Sequence, residues 1–210
     1  MNARPTARII GCGALLVSLV GAPVSAVDAH STVTVKKQKQ VHIDKSCRKS
    51  YRLRTGELQM TMDATLATWE GAKSSAEAAV TDMKTALASP EQSVAIDTLK
   101  QGALVQGRSL ATSIDEEGDR NFKEVKAFQK RFSKCFSTQK GKQQFDEAVS
   151  AVRAGFREMK SAKWRIQSVW LELSAANVPN AEKELQKTLV DVIAAEPTFD
   201  RGMDRLSRLA

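Results

Sequence analysis

The chain has 210 residues, with 32 basic against 24 acidic side chains, a formal net charge of +8 and only 5% aromatic residues. That length holds one domain with a sizeable core, and the abundance of Ala, Lys, Gln and Glu suits helices better than sheets. The basic balance points to anionic partners, and two histidines with three cysteines leave little material for metal or thiol catalysis.

Residues 1–26 read as a signal peptide. Arg4 and Arg8 precede the apolar run Ile9–Val20, which is too short for a permanent span. Small residues at Val24-Ser25-Ala26 and Val27-Asp28-Ala29 place cleavage after residue 26 or 29. Most of the apolar run follows Cys12, so that cysteine reads as part of the signal rather than as a lipid attachment point. Residues 27–42 form a basic, flexible lead-in to a single helical domain over 43–210. The expected location is therefore extracytoplasmic: secreted, or within the cell envelope with no span in the mature chain.

Helical periodicity starts at Ile43. Cys47, Tyr51, Leu58, Met62, Trp69, Val80 and Met83 recur at three- and four-residue steps, as one face of a long helix. Arg54 interrupts the stripe, and Gly56 behind it marks a kink or a later start capped by Thr55. Ser89-Pro90-Glu91-Gln92 predicts a turn with Ser89 capping the next helix. The second helix carries Ile96, Leu99, Ala103, Leu110 and Ile114, bends at "DEEGD" around Gly118, and continues through Val125, Phe128 and Phe132. Residues 137–142 read as a turn. The third helix shows heptad-like, coiled-coil spacing from Phe145 to Leu173, ended by "NVPN" at 177–180. Leu185, Leu189 and Val192 follow, Pro197 breaks the helix, and Phe199, Met203 and Leu206 make a last segment. The expected fold is all-α: an elongated antiparallel up-down bundle of three long helices plus a broken fourth.

Once a signal peptide is removed, Cys47 and Cys135 remain. An exported chain favours a disulfide between them. The Ser89-Pro90 turn lies nearly midway, so a hairpin about it sets the two cysteines opposite each other. Two buried thiols or an intermolecular bridge are the alternatives.

Charge is segregated along the chain. Residues 31–60 hold eight basic and two acidic side chains, and 119–170 hold thirteen and five. Residues 61–118 hold four basic and nine acidic. Threaded through the bundle, the basic segments share one end. Lys45, Arg48, Lys49 and Arg52 lie there, as does the stripe Lys123, Lys126, Lys130 and Lys134. Arg153, Arg157, Lys160 and Trp164 share a face further along the third helix. Cations in the first turns of a helix oppose its macrodipole, so Lys45, Arg48 and Lys49 are poorly placed for stability unless the helix starts at Thr55.

"DEEGD" lacks the spacing of a calcium loop, and no phosphate loop, HExxH or nucleophile motif occurs. Catalytic residues, metal ligands and cofactors are therefore not expected. The sequence points to a non-catalytic binding protein whose basic end meets an anionic envelope polymer, lipid headgroups or a partner protein. Nucleic acid fits less well, because few aromatics interleave with the cations. The alternative is a carrier holding a small ligand such as haem or lipid within the bundle.

Overall fold

The computed structural model describes residues 43–89 and 91–210. The expected signal peptide, the lead-in 27–42 and Pro90 lie outside the described residues. Four long helices follow one another: α1 Lys45–Leu87, α2 Ser93–Phe132, α3 Gln139–Ser174 and α4 Val178–Arg208. A single 3₁₀ turn, Ser133–Cys135, follows α2. No strand occurs among the described residues. The helices run up and down alternately, and the fold is the expected all-α antiparallel bundle. Helix α3 is central and packs against each of the other three.

Its tightest seam is with α4. A β-carbon on Gly155 would lie 2.6 Å from Phe199 Cβ, and one on Gly202 would lie 2.7 Å from the Val152 backbone nitrogen. Two glycines facing two backbones let the helices approach closely, and Val152, Phe156, Phe199 and Met203 close around the contact.

Several local expectations are corrected by packing. Helix α1 begins at Lys45, not Thr55. Tyr51, Thr55 and Leu58 are all buried on one face, and the Thr55 hydroxyl donates to the Tyr51 carbonyl 2.9 Å away, so tertiary contacts carry the helix through Gly56. Ser89 does not cap α2. Its carbonyl accepts from Gln92 N in a turn, and the helix starts at Ser93. No bend occurs at Gly118, because this glycine is buried under the Lys160 side chain, where a β-carbon would lie 2.9 Å from Lys160 Cδ. Lys140 and Lys142 belong to α3 rather than to a turn, since Thr138 caps the helix by accepting from Gly141 N at 3.1 Å.

The fourth helix is not broken. It runs unbroken through Pro197, which lies on the exposed side while Ala195 and Phe199 flank it in the core. Proline removes one backbone donor there, and its ring lies on the exposed side, clear of the core packing. Between α3 and α4 the chain reverses at Ala176, which has φ 56°, a left-handed conformation usual for glycine. Asn177 N donates to Glu172 O and Ala176 N to Leu173 O, the two bonds of a Schellman closure.

Candidate functional site

Four chain segments meet at the end of the bundle where α1 and α3 begin. Ile43 N donates to Leu209 O and Asp44 N to Cys135 O, each at 3.0 Å. Cys47 and Cys135 form the expected disulfide, with Cα atoms 6.1 Å apart. Beneath it sits an aromatic cluster. Tyr51 packs edge-on to Phe132 with centroids 5.2 Å apart, and Phe136 stacks on Phe145 at 5.0 Å. The Tyr51 hydroxyl donates to Leu206 O at 3.0 Å, and burial raises its pKa well above the ordinary phenol value. Covalent, aromatic and hydrogen-bonded ties thus fix this end.

The same end gathers positive charge. The half of the bundle built from 43–60, 119–159 and 195–210 has 18 basic and 10 acidic side chains, against 9 and 13 in the other half, 61–118 with 160–194. Pairing differs even more. In the second half Lys73, Lys84, Lys100, Lys160, Lys163, Arg165 and Lys187 each meet a carboxylate. In the basic half, among the described residues, only Arg54 and Arg208 meet a side-chain carboxylate. Among the described residues, most of the cations at the disulfide end therefore have no carboxylate partner.

The sequence-predicted residues divide accordingly. Lys45 and Lys49 are exposed in the first turns of α1, and Arg48 is half-buried, its enclosed Nε having no hydrogen-bond partner among the described residues. Arg52 reaches the C-terminus, donating to Ala210 O at 3.4 Å. Lys123, Lys126 and Lys130 lie exposed on α2, opposite the buried Asn121, Val125, Phe128 and Phe132, and Lys134 sits beside Cys135. Arg153 is half-buried and donates to Gln129 Oε1 at 3.0 Å, while Arg157 is exposed. Lys160 is set apart: it pairs with Asp115 at 2.8 Å, about 30 Å along α3 from Lys140. Trp164 is half-buried one turn beyond Lys160, so neither belongs to the cluster at the disulfide end.

A second feature was not singled out from the sequence. A cleft of about 610 Å³ opens between α1 and α2, with Arg54, Arg120 and Arg131 among its lining residues. Thr65, Glu117 and Asn121 form its buried floor. Lys163, 4% exposed, crosses from α3 to donate to Glu117 Oε2 and Thr68 Oγ1, and Asn121 Nδ2 donates to Thr65 Oγ1 at 3.0 Å. Glu117 Oε1 and Asn121 Oδ1 are buried with no hydrogen-bond partner among the described residues. Desolvation lowers the Lys163 pKa, and the Glu117 carboxylate opposes that shift. The signal lay in the register: Met159, Lys163, Ile166 and Trp170 continue the buried stripe of α3, and Ile114, Glu117 and Asn121 that of α2, with charges where apolar residues were expected.

Among the described residues no group of His, Cys, Asp or Glu is placed to hold a metal ion, and no helix is long and apolar enough to cross a membrane. Comparison with family models, with curated proteins and with solved structures gives no match.

Proposed function

We propose that this chain is an exported, non-catalytic helical bundle that binds a polyanionic envelope surface through its disulfide-tied basic end. The observation that carries this reading is the contrast in pairing: among the described residues seven of nine cations in one half of the bundle meet a side-chain carboxylate, against two of eighteen in the other. Helix polarity adds support. Helix α3 has no acidic residue in its first turn, where Lys140 lies, and behind Asp44 at the N-cap of α1 the cations Lys45, Arg48 and Lys49 follow in its opening turns. A cation in the first turn costs about 0.3–1 kcal/mol against the helix dipole at low salt, which an external anion offsets. The mechanism is multivalent electrostatics on a rigid platform, with affinity falling as salt screens it.

The test is co-sedimentation of the purified protein with anionic and neutral vesicles, and with an acidic polysaccharide, at low and high salt. Binding to the anionic targets, weakened by salt, is expected. Each basic side chain near an anionic membrane contributes about 1 kcal/mol, so reversing Arg48, Lys130 and Lys134 to Glu weakens vesicle binding by at least about a hundredfold. Absence of binding at low salt, or indifference to the three reversals, overturns the reading.

The unpartnered Glu117 and Asn121 oxygens under the α1–α2 cleft favour a second reading, a carrier of a small ligand. Native mass spectrometry separates the two, because a carrier retains a discrete small molecule and a surface binder does not.

A further inference from the structure

Helix α4 has two apolar faces. One holds Val192, Ala195, Phe199 and Met203 and is buried in the bundle. The other faces away from it. Leu189, Val190 and Ile193 are 44, 67 and 71% exposed, and Pro197 extends the same strip one turn further. Isolated exposed leucines and valines are ordinary, but a strip at three- and four-residue steps is not. Its ends are charged: Lys183 lies about two turns before Val190, and Asp200 about two turns after Ile193. Lys183, Gln186, Val190, Ile193, Pro197 and Asp200 are all exposed and follow the a and d positions of a heptad.

We propose that two copies of this chain pair antiparallel along this face of α4. Antiparallel heptads meet in a-to-d layers, and one register satisfies the strip. Val190 packs on the partner's Ile193, Gln186 lies over the partner's Pro197, and Lys183 meets the partner's Asp200, each contact occurring twice about the two-fold axis. Neither Lys183 nor Asp200 has an ion-pair partner among the described residues. A parallel pairing instead stacks Lys183 on Lys183 and Asp200 on Asp200. The charge of the whole bundle selects the same direction. Antiparallel copies lay the basic half of one beside the acidic half of the other, whereas parallel copies set the two basic halves side by side. The contact spans residues 183–200, about 27 Å of helix, which is small for a permanent interface, so the dimer is reversible. Its two basic ends point in opposite directions, which makes the assembly a two-ended binder.

Sedimentation equilibrium of the purified protein across a wide concentration range tests this. A monomer–dimer equilibrium is expected. Ile193→Glu, at an exposed position, abolishes it while leaving circular dichroism and the thermal midpoint unchanged. Lys183→Glu and Asp200→Lys each turn two attractive contacts into repulsive ones and weaken the dimer about tenfold, and an equimolar mixture of the two variants restores it as a heterodimer. A protein that stays monomeric at every concentration overturns the proposal. So does a dimer indifferent to Ile193→Glu, which places the interface elsewhere. A dimer disrupted by Ile193→Glu but untouched by Lys183→Glu overturns the antiparallel register.

Discussion

Removing the disulfide by the double change Cys47→Ala and Cys135→Ala tests how this bundle closes. The bridge spans 88 residues of sequence. In the chain-entropy treatment a closed loop of that size stabilises the folded state by about 4–5 kcal/mol, by restricting the unfolded chain. A domain of this length loses about 2–4 °C of Tm per kcal/mol, so the midpoint should fall by about 10–15 °C. The folded state itself should persist. Ile43 and Asp44 keep their backbone bonds to Leu209 and Cys135, and Tyr51 keeps its bond to Leu206 within the aromatic cluster. Thermal and urea unfolding of both proteins give the two stabilities, and hydrogen exchange over residues 43–55 and 131–138 reports whether this end opens locally. A loss below about 1 kcal/mol would refute the entropic reasoning, because it would mean that the unfolded chain already holds its α1–α2 ends together. Complete unfolding would refute the claim that packing holds the end without the bridge.

Lys163→Met leaves the Glu117 carboxylate buried without its counter-charge and should cost about 3–5 kcal/mol in urea unfolding. Adding Glu117→Gln to that variant should return most of the loss, since the pair is then removed together. Ala176→Gly relieves a left-handed backbone that alanine adopts at a penalty, and should stabilise the protein by about 0.5–1 kcal/mol, read as a rise in urea midpoint at constant slope.

What was legible in the sequence is what periodicity controls. The apolar steps from Cys47 to Met83 and from Phe145 to Leu173 specify helices because an α-helix must keep one stripe out of water, and the alternation of long stripes with short turns specifies antiparallel neighbours. The disulfide followed from the same logic, since a turn near residue 90 lies midway between residues 47 and 135 and so sets them at equal distance along a hairpin. The gathering of Lys45, Arg48, Lys49, Lys130 and Lys134 at one end needed only that threading.

Local signals failed where tertiary packing outweighed them. Pro197 is a strong breaker by propensity, but its ring falls on the solvent side of a helix held by Ala195 and Phe199, so one lost hydrogen bond is tolerated. Ser89 has the residue pattern of a cap, yet its carbonyl rather than its hydroxyl is used, in a turn that delays α2 to Ser93. Gly118 lies mid-helix because Lys160 needs the space its missing side chain leaves. The Lys163–Glu117 contact joins residues 46 apart in sequence, on different helices. Sequence alone determined which apolar residues face inward and how the helices alternate, because those follow from the pitch of the helix. Which buried charges meet, which cations remain without a carboxylate and which face of α4 is left bare were decided only by the lateral packing of the four helices, because spacing along one chain carries no information about the rotation of a neighbour.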